Sequence, residues 1–167
     1  MDISEIDAFM AEQKRLQGPL PIWQEGTRKG ELSASWNIED SLGIIRAELR
    51  FRCPTQRRQF PSISVLYKQI LVYRVDIVSP DECKINPLGA RAVGLPASVC
   101  GPHCHSWPDN RDYVHSVGFG HMPYRRPIQP QVRRLPQALL WLADEINLTI
   151  GPDQRGFEVP PQNDLFG

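Results

Sequence analysis

The sequence predicts an α+β fold, in which an antiparallel β-meander packs against an N-terminal and a C-terminal helix. Between residues 31 and 78, segments rich in β-branched and aromatic residues follow one another, and one of them alternates between apolar and polar residues. Apolar residues at helical spacing lie on either side, over residues 3–16 and after Pro136. Period-two alternation is typical of strands, and spacing of three to four is typical of helices. Strands grouped apart from helices indicate the α+β class.

The first predicted element is an amphipathic helix over residues 3–16. Its apolar stripe contains Ile3, Ile6, Phe9, Met10 and Leu16. Ser4 and, three residues later, Asp7 resemble a capping box, whose side chains satisfy the first backbone N–H groups of a helix. Gly18 and the prolines after it end the helix. A short strand over residues 31–37 follows.

The clearest strand pattern lies at residues 43–52. One face carries Ile45, Ala47, Leu49 and Phe51, and the other carries Ile44, Arg46, Glu48, Arg50 and Arg52. This pattern predicts a half-buried strand with a basic outer face. Residues 62–67 and 70–78 predict two further strands, which the short link Lys68-Gln69 would join as a hairpin.

Turn signals dominate residues 79–102, which are predicted to be loop-like. Residues 112–119 alternate and predict a last strand. Its shared face would carry Tyr113, His115, Val117 and Phe119. A second helix begins near Pro136, a residue suited to the first helical turn, and ends before Gly151.

The length of 167 residues predicts one domain. We expect this domain to cover residues 1–150 and to need neither a metal nor a disulfide for stability. Residues 151–167 are expected to form a flexible, proline-bearing tail, in which Leu165 and Phe166 are a candidate docking point.

Charge and hydropathy argue against two functional classes. Nineteen basic residues balance nineteen acidic ones, so no overall charge attracts nucleic acid or a membrane surface. No apolar run approaches the roughly 18 residues of a membrane span, and the N-terminus lacks a signal-peptide pattern. We therefore expect a cytoplasmic protein. In that compartment the four cysteines are expected to be thiols or metal ligands rather than disulfides.

All four histidines lie in a nineteen-residue window, near the run Cys100-Gly101-Pro102-His103-Cys104-His105. Two histidines on one strand face near arginines resemble the acid–base pair of a metal-independent ribonuclease. One imidazole would remove the 2′-hydroxyl proton, and the other would protonate the leaving oxygen. His103 or His105 would pair with His115 or His121 if the fold brings them together. His103, His105 and His115 are the predicted catalytic residues.

Three other interpretations of this window stay open. The spacings C-x2-H and H-x-H can each place two ligands on zinc, although neither belongs to a closed zinc pattern. No metal ligand is assigned and no cofactor is expected, so zinc is an alternative only. Cys100 or Cys104 could instead be a nucleophile beside a histidine base. In the structural interpretation, the imidazoles bond backbone carbonyls and the cysteines are small buried hydrophobes.

Arg46, Arg50 and Arg52 are the candidate nucleic-acid contacts, because cations on one strand face can follow a phosphate backbone. Glu48 lies among them, however, and outer faces of antiparallel sheets are commonly charged because they contact water. A solvated face is therefore the competing interpretation of the same residues.

Several short segments together resemble TumE-type toxins of bacterial toxin–antitoxin pairs and related small bacterial and phage proteins. They are the strand end Arg74–Ile77, the turn Asn86-Pro87 and the segment Pro102-His103-Cys104-His105, within residues 30–147. The resemblance implies an α+β toxin-like fold, a cytosolic setting, a partner protein and RNA as a plausible target. The cysteines, the long proline-rich stretch and the N-terminal helix depart from that pattern.

The leading hypothesis is a bacterial or mobile-element protein of toxin-like type that cleaves RNA through its histidines. The alternatives are a non-enzymatic inhibitor that binds a host defence complex and a structural metal-binding module. A protein partner, either an antitoxin or a host complex, is expected, and no membrane contact is. The sequence leaves the oligomeric state open.

Overall fold

Alternation of buried and more exposed residues over positions 34–38 and 46–54 gives one large, mostly antiparallel sheet a buried face and an outer face. A computed structural model describes residues 1–162. In chain order its helices and strands are α1 (Ile3–Ala11), β1 (Lys14–Leu16), β2 (Gln24–Glu25), β3 (Glu31–Glu39), β4 (Ile45–Pro54), β5 (Ser62–Tyr67), β6 (Ile70–Asp76), β7 (Cys83–Ile85), β8 (Ser98–Cys100), β9 (His103–His105), α2 (Trp107–Val117), β10 (Arg126–Pro127), α3 (Leu135–Glu145) and β11 (Leu148–Thr149).

The strand order of the large sheet is β10-β9-β6-β5-β4-β3-β1-β11, and β2 pairs with β3 at one end of that strand. Strands β3 to β6 form the predicted meander, with β5 and β6 as its hairpin. The α+β class is confirmed. The pairing of β1 with β11 is parallel, whereas the other described pairs are antiparallel.

The buried face of the sheet packs against α1 and α3. On β4, Ala47, Leu49 and Phe51 are at most 5% exposed. Phe9 of α1 stacks on Tyr67 of β5, with ring centroids 4.7 Å apart. Burying each large apolar side chain contributes about 1.5–3 kcal/mol, so this shared core supplies the main stabilisation and leaves the outer face of the sheet free for polar groups.

The first helix is shorter than the predicted span 3–16. It ends at Ala11, and Lys14 already belongs to β1. The buried Lys14 ammonium donates hydrogen bonds to the carbonyls of Phe9 and Glu12, which satisfies backbone acceptors at the helix end. Asp2, rather than Ser4, is the N-cap. Pairing of β1 with its neighbouring strands thus ends the helix earlier than the spacing of apolar residues predicts.

The predicted strand over residues 112–119 is wrong, because residues up to Val117 form α2. Ser106 caps this helix by accepting a hydrogen bond from the backbone N–H of Asp109. Trp107 and Arg111 then donate side-chain hydrogen bonds to Asp7 of α1. Alternating polarity over so short a stretch is compatible with both a strand and a helix. Here the N-cap and the contacts with Asp7 favour the helix.

Residues 79–102 are less irregular than predicted, since β7 and β8 pair within them as a separate two-stranded sheet. A disulfide joins Cys83 to Cys100 across this pair. The expectation that the cysteines are thiols or metal ligands rather than disulfides is therefore wrong for these two, because the strand pairing brings together cysteines that lie 17 residues apart in sequence. Cys53 and Cys104 are free and buried.

The cytoplasmic location stays a prediction. Disulfides are more typical of oxidising compartments than of the cytosol. Within residues 1–162, no helix is long and apolar enough to cross a membrane.

The predicted domain limits, 1–150 with a tail over 151–167, stay a prediction. As far as residue 162, the tail segment contacts the sheet. The Phe157 side chain is buried, with its ring centroid 4.8 Å from that of Phe51, and Arg58 donates to the carbonyl of Pro160. Leu165 and Phe166, the predicted docking point, lie outside the described residues.

Replacing Lys14 with methionine should destabilise the fold. Lys14→Met keeps the side-chain length but removes the donors that satisfy the carbonyls of Phe9 and Glu12. We expect the free energy of unfolding in urea to fall by about 1–3 kcal/mol. The exposed Lys29→Met variant is the control. Equal stability of the two variants would contradict this role of Lys14.

Thiol titration tests the disulfide. In denaturant, the unreduced protein should expose two titratable thiols, Cys53 and Cys104, and reduction should add those of Cys83 and Cys100. A Cys83→Ser variant should expose three before reduction, since Cys100 loses its partner. Four thiols in the unreduced wild-type protein, purified without reductant, would refute the pairing.

Candidate metal centre

The pairing of β6 with β9 brings an aspartate and two histidines to one face of the sheet. Asp76 lies opposite His103, and Arg74 lies opposite His105. Opposed residues of an antiparallel pair project to the same face. The intervening Cys104 projects to the other face and belongs to the core. The H-x-H spacing on a strand therefore directs both imidazoles towards the carboxylate.

The three side chains present their ligand atoms to a common point. Nε2 of His103 lies 3.5 Å from Oδ2 of Asp76, and Nε2 of His105 lies 3.6 Å from the same oxygen. The three ligand atoms all lie within 4.8 Å of one another, and the three residues are buried. Both distances exceed the usual N–H···O length of about 2.7–3.2 Å, so direct hydrogen bonds do not account for the convergence.

A hydrogen bond from the Nδ1 atom of each imidazole orients the ring so that Nε2 faces the carboxylate. Nδ1 of His103 is 2.9 Å from the carbonyl oxygen of Gly101, and Nδ1 of His105 is 2.8 Å from that of Met122. A carbonyl only accepts, so each Nδ1 carries the hydrogen. In a neutral ring Nε2 then holds a lone pair. Metal-binding histidines are typically held in this way by backbone carbonyls.

Burial and charge set the protonation states. Burial lowers the pKa of His105 to about 4, so this imidazole is neutral at neutral pH. Burial acts to raise the pKa of Asp76, but its contacts with His103 and Arg74 outweigh that effect and hold the pKa below its usual value. Arg74 also donates from Nε to Oδ1 of Asp76 over 2.9 Å, which leaves Oδ2 directed at the histidines.

The three residues lie in the wall of an open cleft of about 690 Å³. Other wall residues include Arg74, Glu82, Lys84, Ile85, His121, Met122 and Arg125. A ligand in the cleft could therefore reach the triad, defined as Asp76, His103 and His105, from the solvent side of the sheet.

Two buried asparagines fix the chain segment that follows Met122. Asn110 both donates to the carbonyl of Tyr124 and accepts from its N–H. Asn86 makes the same pair of hydrogen bonds with Arg125. Each side-chain amide therefore makes the pair of backbone hydrogen bonds that a residue of a neighbouring strand would otherwise make. Because the Met122 carbonyl holds His105, these asparagines help to position the triad indirectly.

The predicted catalytic histidines are not all brought together. His103 and His105 lie in the triad, whereas His115 is exposed in the last turn of α2 and does not line the cleft. His121 does line it. The catalytic roles of these residues stay a prediction.

The three arginines predicted to contact nucleic acid each lie in an ion pair with a carboxylate. Arg46 lies 2.9 Å from Asp40, and Arg50 lies 2.6 Å from Glu48. Arg52 is 3.6 Å from Glu31 and lines a second cleft. These pairs support the solvated-face interpretation for Arg46 and Arg50 and leave Arg52 as a candidate ligand contact.

Sequence reasoning did not assign Asp76 as a ligand. The signals were an acidic residue at a strand end and an H-x-H run, but only the pairing of β6 with β9 joins them. The cysteine alternatives also fail as stated. Cys100 is in the disulfide. Burial raises the pKa of the Cys104 thiol to about 12, which makes it a poor nucleophile.

Comparisons with protein-family models, with curated proteins and with solved structures found no match to this chain. The resemblance to TumE-type toxins stays a prediction, and the case for function depends on the geometry of the triad and its cleft.

Proposed function

We propose that Asp76, His103 and His105 bind one divalent transition-metal ion, and that the protein is a metal-dependent hydrolase whose substrate enters through the cleft. One observation carries this proposal. Both Nε2 atoms and a carboxylate oxygen converge while both Nδ1 hydrogens are donated to backbone carbonyls. When both rings are neutral, these three buried atoms are all acceptors, and they repel one another unless a cation lies between them.

The two distances from the imidazoles to the carboxylate suit an ion of the zinc type, and the three ligand atoms all lie within 4.8 Å of one another. Zinc binds imidazole nitrogen and carboxylate oxygen at about 2.0–2.2 Å in tetrahedral geometry, which places neighbouring ligand atoms about 3.3–3.6 Å apart. The distances from the two Nε2 atoms to Oδ2 of Asp76 are 3.5 and 3.6 Å. Three protein ligands leave a position open for water or substrate, as in catalytic rather than structural zinc sites.

The surrounding residues suit hydrolysis. A divalent ion bound to such ligands lowers the pKa of a coordinated water to about 7. Arg74 keeps Asp76 ionised and oriented through Oδ1. His121, on the cleft wall, is the proposed proton donor to the leaving oxygen once water attacks and the ester bond breaks. Because the imidazole of His121 is exposed, it can recover a proton from solvent.

This proposal differs from metal-independent acid–base catalysis, in which His103 or His105 would pair with His115 or His121. Such catalysis needs one protonated and one neutral imidazole on opposite sides of the reacting bond. His103 and His105 face the same carboxylate oxygen, and a His105 pKa of about 4 makes it a poor proton donor near neutrality. Ribonuclease activity, an antitoxin partner and an inhibitor role remain proposals about substrate and biology rather than about this site.

Metal analysis tests the site directly. Wild-type protein incubated with Zn²⁺ and freed of excess metal should retain about one equivalent, measured by elemental analysis. His103→Ala and Asp76→Asn should lower zinc affinity at least about 100-fold, beyond the roughly 10–100-fold effect of losing an outer hydrogen-bond partner. His115→Ala, a histidine outside the triad, is the control and should bind normally. Wild-type retention below a tenth of an equivalent would sink the proposal.

Catalysis is tested with an activated phosphodiester and an activated carboxylic ester. Zinc-loaded wild-type protein should hydrolyse at least one of them, chelator should abolish the activity and zinc should restore it. On a phosphodiester with an unactivated alcohol leaving group, His121→Gln should lower kcat about 10²-fold or more, the contribution typical of a general acid, with unchanged zinc content. The activated esters should be affected much less, because their leaving groups need no proton. Hydrolysis that is equally fast in the His103→Ala variant would show that the triad is not the catalytic centre.

A further inference from the structure

A second cleft adjoins the one over the triad. It has a volume of about 250 Å³. The two clefts share the wall residues Arg74, Asp76, Val78 and Glu82. A ligand that occupies the first cleft can therefore extend into the second along the outer face of the sheet. The far side of the second cleft carries Arg52 and Arg57.

These two arginines differ from most of their neighbours on the sheet. Arg46, Arg50 and Arg74 each donate a hydrogen bond to a carboxylate. Arg52 only approaches Glu31 at 3.6 Å, and Arg57 stacks on the Phe60 ring, with its guanidinium carbon 4.7 Å from the ring centroid. Within the described residues, neither guanidinium donates a hydrogen bond, so their N–H groups are available to an anion.

We propose that the second cleft binds a phosphate group of the substrate through Arg52 and Arg57, while the bond to be hydrolysed lies at the triad. This inference rests on the proposed hydrolase function and assigns its substrate class, a single-stranded oligonucleotide. The planar fork of a guanidinium matches phosphate oxygens in pairs. Stacking on Phe60 holds Arg57 while leaving its N–H edge free.

The register of the sheet gives the spacing that the substrate must meet. Arg52 lies opposite Ser62, Ser62 opposite Asp76, and Asp76 opposite His103. With strands about 4.8 Å apart, the backbone of Arg52 is about 10 Å from that of Asp76. The half-buried Ser62 lies between them and also lines the second cleft. A substrate with phosphates repeated along a chain can therefore place one group at the triad and another at these arginines.

The charge of the two walls supports an anionic substrate. The cationic wall residues are Arg52, Arg57, Arg74, Lys84 and Arg125, and the acidic ones are Glu31, Asp76 and Glu82. The whole chain has a formal net charge of zero. The positive excess is therefore local to the clefts, where it would attract a phosphate chain.

Fluorescence anisotropy with a labelled single-stranded RNA octamer, in chelator and at low salt, tests this subsite without relying on bound metal. Wild-type protein should bind the probe, and inorganic phosphate should compete. Arg52→Gln/Arg57→Gln should weaken binding about tenfold or more, as expected for lost hydrogen bonds to a charged group. The double lysine variant keeps the charge and should lose less. Zinc content should not change in either variant.

Arg46→Gln is the matched control, because Arg46 lies on the same strand but is paired with Asp40. It should bind the octamer within about twofold of wild type. Equal weakening by Arg46→Gln, or no binding by folded wild-type protein at 100-micromolar scale, would overturn the phosphate subsite. Loss of zinc binding in the triad variants with unchanged octamer binding would leave the subsite intact, so the two proposals can fail separately.

Discussion

The antiparallel register between β6 and β9 is the constraint on which the candidate site depends. It sets Asp76 opposite His103 and directs His105 to the same face. Because side chains alternate along a strand, a slip of one residue would turn both imidazoles towards the core and Cys104 outward. Burial of Cys104 and of Val75 on the core face opposes such a slip. Hydrophobic packing on one face thus holds the polar geometry on the other.

Hydrogen bonds from neighbouring groups fix the orientation of each side chain of the triad. Backbone carbonyls of Gly101 and Met122 orient the imidazoles, and Arg74 occupies the far oxygen of Asp76. The asparagine contacts at residues 124 and 125 and the disulfide between β7 and β8 secure the segments that border the cleft. These contacts fix the positions of the buried polar atoms, and they leave an open approach on the solvent side.

Periodicity along the chain correctly predicted those helices and strands whose apolar pattern is clear within the segment itself. Strand β4 alternates from Arg46 to Pro54, although Ile45 at its start is exposed, and α3 carries a continuous apolar face. The same reasoning failed at residues 112–119, where the alternation is short and an N-cap at Ser106 begins a helix. It also extended α1 to Leu16, because Leu16 is buried in a strand rather than on the helix. Over a stretch as short as one helical turn, an apolar residue at the right spacing fits a helix and a strand equally well.

By itself, the sequence determined the α+β class and the central meander, and it indicated the His103–His105 segment as a candidate site. These follow from short-range periodicity and from the spacing of two residues that places side chains on one face of a strand. Only the tertiary structure decided that Asp76 completes the site, that His115 lies outside it, and that Cys83 pairs with Cys100. Each of these depends on which distant strands pair, and the free energy that selects the pairing is spread over the whole core.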